Sequence, residues 1–575
     1  MNKTQWVKLF SLLVALLLFV SVVAGCGAQK ETKPDEVKEE EPSGTESEGA
    51  DEEETPAEEP IEEVEVTFLH CWNGGAGGFP QDMVNNPVAQ RIRERTGVTL
   101  KAEFITTSET EKLNTMFASG VMPDFVNAPY WSTTGGEGAV IKKAATEGML
   151  LALNDYLESG KYPNIEKLYE IGVARDFKEF DLFHPDYEGN IYLIPQQTPG
   201  DNPEDVTNWA YGVYARGDIL KELGVKPEEI DSSEKLYDLL VKIKNGNFTD
   251  INGKPVIPAG TWHNGWSYSE FLKSWSDYNI SSYREEDGKI IHWIFSKDEE
   301  EKLMFMRKLI KEGLFDPEAF SNTDTMAKEK MAVGKIAVFG AQSGMGHFRQ
   351  TLYQTNPEMK YELLGPFKNK SGNIATQVEK KGRSGFPVMF LSATTDKAEA
   401  VLRFINFCNS EEGWLLASWG IEGEHYTMEN GRPKWIPEWK QKMDEDPTAA
   451  RDAGIGYLGN FIGADSRKSL WPTPEEDKTI FDKWQDEYIA KVPIVFIDKV
   501  SANYLERDWP KYNEYRDAVS TLDYEQEFRK ACFASTDEEA LKILNDIREK
   551  YRQAGLEELT QWVAEKAAER DDVGW

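Results

Sequence analysis

The sequence predicts an α/β fold in which a parallel sheet belongs to one of two or more lobes. A chain of 575 residues is too long for a single hydrophobic core, so at least two compact lobes are expected. The stretches "VEVTFLH" and "VTLKAEF" have the two-residue period of strands, and helical segments follow them. The succession strand, helix, strand, helix, strand predicts parallel strands joined by right-handed crossovers.

The helices of this stretch have recognisable ends. In "NNPVAQRIRERTGV", Asn86 is the expected N-cap and Gly97 the expected C-cap, with proline at the first helical position. "SETEKLNTMFASG" starts with a capping box at Ser108 and ends at Gly120. Ligands of parallel sheets bind beyond the carboxyl ends of the strands, so the loops 71–79 and 127–135 are candidate binding loops.

The amino-terminal segment has the pattern of an export signal. Residues 9–24 form an apolar run behind two lysines, and this run is too short for a comfortable membrane span. It ends in "VAGC", which resembles the lipobox of bacterial lipoproteins. That resemblance implies that residues 1–25 are a signal peptide and that Cys26 carries the lipid that anchors the protein to the membrane. A plain signal peptide with an incidental cysteine is the alternative.

Residues 26–63 are predicted to be a disordered acidic linker. Between residues 31 and 65 the chain has 17 Asp and Glu residues against two lysines, and it has too few aliphatic side chains to form a core. The net charge of the whole chain, −35, argues against nucleic acid as a partner. The three cysteines after Cys26 are odd in number and have no metal-ligand spacing, so no disulfide framework, metal or cofactor is predicted.

Several segments occur in an order that resembles a known family. They include "LNTMFASGVMPDF", "YEGNIYLIP", "YGVYARGDILKELGV", "KEKMAVGKIAVFG" and "SWGIEGEHY". With the lipobox, they resemble the extracellular solute-binding lipoproteins (family 1 type) of carbohydrate ABC importers in Gram-positive bacteria. The resemblance runs from residue 64 to the C-terminus. It implies a two-lobed, periplasmic-binding-protein-like clamshell of type II that binds a solute and is not an enzyme.

The resemblance also implies that the chain passes between the two lobes several times. The first lobe is expected to contain residues 64–195 and 381–430. The second lobe is expected to contain residues 196–380 and 431–575.

Loop aromatics are the candidate ligand-binding residues. A sugar presents apolar C–H faces and a rim of hydroxyls, so its site needs aromatic planes and planar polar groups. Loops such as "CWNGG", "APYWSTTGG" and "GTWHNGWSY" supply both, although each aromatic alone could instead anchor its loop. The family's order of segments implies these ligand-binding residues: Trp72, Asn73, Asn127, Tyr130, Trp131, Gln196, Trp209, Tyr211, Trp262, His263, Trp266, Gln342 and Trp471. Arg383 is a further candidate, as a local arginine through which an acidic sugar could bind. Trp275, Trp414 and Trp419 lie on helical patterns and are expected in the core.

One connector invites comparison with a calcium loop that some members of that family have. In "KNGNFTDINGKPVIP", Asn245, Asn247, Asp250 and Asn252 could supply oxygens. Only one of the four is a carboxylate, and no terminal glutamate follows at the required spacing. The stretch is therefore predicted to be a turn-rich connector without metal.

The expected function is capture of an oligosaccharide in the cleft between the lobes and its delivery to ABC permease subunits. The protein is expected to act as a monomer on the extracellular face of the cell membrane. The alternatives are a sensor or peptide-binding lipoprotein of the same fold and, less favoured, a surface polysaccharide hydrolase. The chain has many carboxylates for a hydrolase, but its six histidines lack metal-ligand spacing and no GxSxG motif is present.

Overall fold

The computed structural model describes residues 61–575 with short gaps. The gaps are residues 73–74, 131–135, 171–180, 201, 263–264, 276–279, 344–351, 375–376, 381–386, 447, 493, 498 and 520. The predicted signal peptide, Cys26 and nearly all of the predicted linker lie outside the described residues.

The first part of the described chain alternates strands and helices, as the sequence predicts. Its elements are β1 (Val64–His70), α1 (Pro87–Thr96), β2 (Val98–Phe104), α2 (Glu109–Ser119), β3 (Phe125–Pro129), α3 (Glu137–Thr146), α4 (Asn154–Glu158), α5 (Pro163–Glu166), β4 (Ile194–Pro195) and β5 (Thr198–Pro199). The predicted helix ends are confirmed: the Asn86 side chain accepts a hydrogen bond from the Ala89 N–H, and Gly97 has a left-handed φ of 68°. Ser108 and Gly120 cap α2 in the same way.

The middle of the chain forms a second group of elements. They are β6 (Gly212–Arg216), α6 (Gly217–Leu223), α7 (Ser233–Asn245), β7 (Ile257–Gly260), β8 (Tyr283–Glu286), β9 (Lys289–His292), α8 (Asp298–Lys311), α9 (Asp324–Ala332), β10 (Ile336–Ala341), β11 (Tyr361–Leu363) and β12 (Gln377–Lys380).

The remainder of the chain is mostly helical. Its elements are β13 (Pro387–Leu391), α10 (Ala398–Cys408), α11 (Glu411–Trp419), β14 (Tyr426–Glu429), β15 (Arg432–Trp435), α12 (Pro437–Glu445), α13 (Ala449–Asp452), β16 (Ala464–Asp465), α14 (Arg467–Leu470), α15 (Ile480–Lys491), β17 (Ile494–Ile497), β18 (Val500–Ser501), α16 (Tyr512–Val519), α17 (Tyr524–Cys532), α18 (Asp537–Gln553), α19 (Leu556–Ala568) and β19 (Val573–Gly574). Among the helices of the described ranges, none has both the length and the apolar character needed to cross a bilayer.

Two sheets form the centres of two lobes. The first sheet has the order β2-β1-β3-β13-β4; β1 is parallel to β2 and β3, whereas β13 is antiparallel to β3 and β4. The second sheet has the order β11-β6-β10-β7, and β6 runs antiparallel to β10 while β7 runs parallel to it. The predicted α/β class and its two lobes are confirmed.

The hydrophobic cores show which segments return to each lobe. The core on the first sheet includes α10, whose Cys408 is fully buried, and it continues through Trp439, Tyr457 and Phe461 to Ala464. The expected move to the second lobe at residue 431 is therefore wrong, since the chain stays in the first core until about Ala464. Periodicity reveals that α12 has an apolar face, but it does not reveal which core that face contacts.

The carboxyl-terminal helices pack into the core on the second sheet. Buried residues of α17, α18 and α19 join side chains of α7, α8, β6 and β10 in one cluster. The segment "STDEEALKILNDIREKYRQ" forms α18, with Thr536 as its N-cap. Of the tryptophans expected in the core, Trp419 is 4% exposed, Trp414 packs against the first core and Trp275 packs against the second.

Candidate functional site

At the carboxyl edge of the first sheet, a network of buried amides holds Trp72. β1 and β3 are parallel neighbours and end at the same edge, so Trp72, just after β1, lies beside Asn127 of β3. The Trp72 indole N–H donates to Asn127 Oδ1 at 2.8 Å, and the Asn127 amide donates to Gln196 Oε1 and to the Asn460 carbonyl at 3.1 Å. Asn127 and Gln196 are both almost fully buried. The structure thus brings three of the predicted residues together.

Tyr130 follows β3 at this edge and is 6% exposed. Burial raises the pKa of its phenol well above the ordinary value, and the nearby Tyr187 and Asp181 raise it further. At neutral pH the phenol is therefore protonated and is able to donate a hydrogen bond.

A second group of predicted residues meets at one edge of the second sheet. Tyr211 precedes β6 and Gln342 follows β10, and the pairing of Gly212 with Ala341 brings them to the same end of the sheet. The ring centroids of Tyr211 and Trp266 are 6.0 Å apart. Because β6 is antiparallel to β7 and β10, its amino end meets their carboxyl ends.

Trp209 and Trp266 are the exposed tryptophans of this edge, at 39% and 36% exposure. The Trp209 carbonyl accepts hydrogen bonds from the backbone N–H and the hydroxyl of Ser343, both at 2.7 Å. The loop after β10 thereby holds the segment that carries Trp209, and Gln485 of α15 donates to the same Ser343 hydroxyl. A large apolar ring that stays in solvent in this way suits contact with a ligand.

Trp262 has a different environment from the one that the sequence predicts. It is 5% exposed and packs in a small core cluster with Tyr214, Met331 and Phe339. In the described conformation it is a core residue of the second lobe and not an exposed platform.

The remaining predicted residues belong to neither of these two groups. One of them, Trp471, is described by the structure, and the others lie outside the described residues. Trp471 is half-buried and follows α14, a helix that is tied to residue 205 by the hydrogen bond from the Ser469 N–H to Asp205 Oδ1 at 3.0 Å. Asn73, Trp131, His263, Arg383 and Cys26 lie outside the described residues.

A cavity of 830 Å³ is lined by residues of both lobes. The first lobe contributes Tyr130, α3 and residues 181–186, and the second contributes residues 504–517. Its charged lining side chains are Lys142, Lys143, Asp181, Asp186, Arg507, Asp508, Arg516 and Asp517. Apart from Tyr130, none of these residues was predicted from the sequence. The segment "ANYLERDWPKYNEYRD" offers a signal, because it mixes aromatic and charged residues without a clean helical period.

One ion pair in the cavity wall joins the two lobes. An Arg507 guanidinium N–H donates to Asp181 Oδ1 at 2.9 Å. Asp181 adjoins Leu182 of the first core, whereas Arg507 belongs to a 3₁₀ segment whose Ala502 and Leu505 belong to the second core. Burial raises the pKa of Asp181, and Arg507 opposes that rise.

A second cluster lies on the first-lobe side of the cavity. Lys142 Nζ is 2.7 Å from Asp186 Oδ2 and 3.1 Å from His184 Nε2. Burial, followed by the charge of Lys142, lowers the pKa of His184 to about 4. The imidazole is therefore neutral at physiological pH.

The connector after α7 is turn-rich, as predicted. Asp250 Oδ1 accepts hydrogen bonds from the backbone N–H of Asn252 at 2.8 Å and of Lys254 at 3.0 Å. Within the part of the chain that the structure describes, no group of three or more His, Cys, Asp or Glu side chains is placed to hold a metal ion. Cys71, Cys408 and Cys532 are buried thiols, and burial raises the pKa of Cys71 and Cys532 to about 12.

Comparison with known proteins decides the family. A model of the bacterial extracellular solute-binding protein family matches residues 84–413, which is more than half of the chain. The chain belongs to this family. The predicted resemblance is confirmed, and the family is one of binding proteins of ABC importers and not of enzymes.

The chain is also similar in sequence to individual solute-binding proteins. The fructooligosaccharide ABC transporter substrate-binding protein FusA of Streptococcus pneumoniae serotype 4 (strain ATCC BAA-334 / TIGR4) is 24% identical over 250 residues, which are 42% of this chain and 44% of FusA. The polygalacturonan/rhamnogalacturonan-binding protein YtcQ of Bacillus subtilis (strain 168) is 21% identical over 357 residues, which are 61% of this chain and 65% of YtcQ. This chain therefore aligns with less than two thirds of either relative.

Solved structures support the fold of this solute-binding protein. The crystal structure of the alginate-binding protein AlgQ2 without calcium matches with a TM-score of 0.59 at 19% identity, over 88% of this chain and 97% of AlgQ2. FusA in complex with kestose matches with the same TM-score, 0.59, at 16% identity, over 88% of this chain and all of FusA.

Proposed function

We propose that this protein is a membrane-anchored solute-binding protein that captures an oligosaccharide between its lobes and delivers it to an ABC importer. The observation that carries the proposal is the pair of exposed indoles at one edge of the second sheet, Trp209 and Trp266, with Tyr211 beside Trp266. Aromatic planes of this kind stack on the C–H faces of sugar rings. Two relatives, FusA and YtcQ, have names that describe carbohydrate binding, which supports the same ligand class.

The proposed site draws on both lobes. Trp72 and Tyr130 contribute from the first lobe, and Trp209, Tyr211, Trp266 and Gln342 contribute from the second. Asn127 and Gln196 act through their hydrogen bonds, which fix the Trp72 ring. Asn73, Trp131, His263, Arg383 and Trp471 remain predicted ligand contacts.

The anchor is tested separately from the binding site. Since "VAGC" resembles a lipobox, Cys26→Ala should release the protein into the medium or leave it with an uncleaved signal. Metabolic labelling with a palmitate analogue measures the lipid. Labelling of the Cys26→Ala protein at the wild-type level would contradict the anchor and leave the binding site untouched.

Sugar binding is tested with a thermal-shift screen of plant and microbial oligosaccharides, with an oligopeptide mixture as a second arm. A ligand at 100 times its dissociation constant adds about 2.7 kcal/mol to stability. We expect at least one oligosaccharide to raise the melting temperature and to change tryptophan fluorescence. Stabilisation by peptides alone would overturn the proposal.

The aromatic contacts are tested by substitution. Trp209→Ala and Trp266→Ala should each weaken the identified sugar about tenfold or more, as expected for stacked interface rings. Phe533→Ala is the matched control, because Phe533 is a comparably exposed aromatic, at 46% exposure, outside the proposed site. Equal affinities for the wild type and both tryptophan variants would overturn the placement of the site.

A further inference from the structure

Tyr130, a residue of the proposed site, also lines the cavity between the lobes, so the charges of the cavity wall bear on the charge of the ligand. Its wall has four cationic side chains and four carboxylates, so the lining charges among the described residues balance. His184, which also lines it, adds no positive charge at neutral pH, because its pKa is lowered to about 4. The cavity thus differs from a site built to hold an anion, which needs a cation without a carboxylate partner.

Three of the four cations of the wall have carboxylate partners within the wall itself, and the fourth, Lys143, lies 3.8 Å from Glu147 outside it. Arg507 is 2.9 Å from Asp181 and Lys142 is 2.7 Å from Asp186, measured between the nearest charged atoms. Arg516 is 3.1 Å from Asp517.

Asp181 and Arg507 are also the most enclosed of these groups, with side chains 7% and 19% exposed. A ligand carboxylate that pairs with Arg507 would compete with Asp181 for the guanidinium group. That exchange would leave one carboxylate poorly solvated and without a partner, and such burial is costly.

We infer, on the basis of the proposed function, that the cavity accepts uncharged sugar units and discriminates against uronate units. Hydroxyl groups suit this wall because each one donates to a carboxylate and accepts from a guanidinium or ammonium group, which leaves the ion pairs intact. Tyr130 adds a protonated phenol to the same wall. The rejection of anions comes from Asp181 and Asp186, whose like charge disfavours an incoming carboxylate.

The test uses pairs of oligosaccharides that differ only in charge. Oligogalacturonides of defined length are compared with the same oligosaccharides after chemical reduction of their carboxyl groups, alongside other neutral oligosaccharides from the screen. Affinity is measured by calorimetry and tryptophan fluorescence at constant ionic strength. Within every pair that binds, the neutral member should bind at least tenfold more tightly.

Two variants test whether the ion pairs of the cavity wall cause the preference for neutral sugars. Asp181→Asn and Asp186→Asn keep the side-chain shape and leave Arg507 or Lys142 without its carboxylate partner. Each should raise the affinity for the uronide relative to a neutral sugar by about tenfold. Glu358→Gln is the matched control, because it removes the exposed partner of Lys221 outside the cavity and should leave the ratio unchanged. Melting curves establish that each variant is folded.

The outcomes separate this inference from the proposed function. Binding of a uronide as tight as, or tighter than, its neutral counterpart overturns the charge preference while sugar binding stands. Unchanged ratios in both cavity variants, with folding retained, overturn the role of the ion pairs. Failure of every sugar, neutral or acidic, to bind overturns the proposed function and this inference with it.

Discussion

Trp262 and Trp266 are separated by three residues, yet their surroundings assign them different roles. Trp262 is 5% exposed, and Trp266 is 36% exposed. Trp262→Ala should therefore lower the free energy of unfolding by about 3–5 kcal/mol, as large-to-small core substitutions do. Trp266→Ala should cost well under half as much. Urea denaturation of the two variants measures the difference, and equal losses would contradict the two environments.

Buried His292 predicts a pH dependence of stability. Burial, and secondarily the charge of Arg284, lowers the pKa of His292 to about 3. Between that pH and 6.5 the unfolded chain binds a proton that the native state does not, so stability falls as the pH drops below about 7. At pH 5 the linkage amounts to about 2 kcal/mol.

The variant His292→Asn isolates this contribution. Asn offers an oxygen that can accept from the Ile294 N–H, the hydrogen bond that His292 Nδ1 accepts in the native protein at 3.4 Å. Denaturation of the wild type and the variant at pH 7.5 and pH 5 should show a smaller loss of stability in the variant. Parallel losses would contradict a neutral, buried His292.

Individual residues also show where sequence interpretation succeeds. Asn86, Gly97, Ser108 and Gly120 were predictable as helix ends because a cap depends on a few adjacent residues. The burial of Trp262 was not, because its Gly- and Asn-rich loop resembles that of Trp266. Only the packing of β6, β10 and α9 around it distinguishes the two.

Two helices of the first lobe end in the same backbone geometry but in different surroundings. Gly97 ends α1 with φ 68° and Gly120 ends α2 with φ 67°. A Cβ at Gly97 would lie 2.3 Å from the Glu62 carbonyl oxygen, whereas a Cβ at Gly120 would meet nothing within 4 Å.

Gly97→Ala should therefore be more destabilising than Gly120→Ala. Gly120→Ala should lower stability by only about 1–2 kcal/mol, the cost of an alanine in the left-handed region of φ. It serves as the matched control. Gly97→Ala has the same cost and must also displace the chain before β1. Its loss of stability should therefore exceed that of the control by about 1 kcal/mol or more. Calorimetry of both variants measures the two losses of stability. Equal melting temperatures would show that the backbone of residue 62 moves away from the new Cβ without cost.

At the level of elements, the sequence predicts most of the order of strands and helices but few of the contacts between distant segments. The first sheet's parallel strands follow from local alternation and short crossovers. The contacts of α12 and the 3₁₀ turn at residues 457–461 with the first core did not follow, because they join segments that are hundreds of residues apart. The Arg507–Asp181 pair is of the same kind, so the cavity between the lobes was beyond a reading of local patterns.

For the whole molecule, we expect the folded body to be independent of the acidic linker. A protein that starts at Ile61 should melt as cooperatively, and bind the identified sugar as tightly, as one that starts at residue 27. The composition of the linker does not support a core. A protein that starts at Val98 is the contrasting control: it lacks β1, which lies between β2 and β3, and should not melt cooperatively.

Calorimetry and sugar titration of the three proteins provide the comparison. A lower melting temperature or weaker binding on removal of residues 27–60 would show that the acidic segment contributes to the body.

The position of β13 inside the first sheet has a consequence for biosynthesis. Among the described strands, β4 pairs in that sheet only with β13, and β13 reaches it only after the chain has passed through most of the second sheet. A chain that emerges amino terminus first therefore holds an unfinished sheet, with the β3 edge open, until Leu391 is available, and an unfinished core until about Ala464. During that interval the exposed strand edge is a target for proteases and for self-association. Chaperone protection should thus matter most while the middle third of the polypeptide is being made.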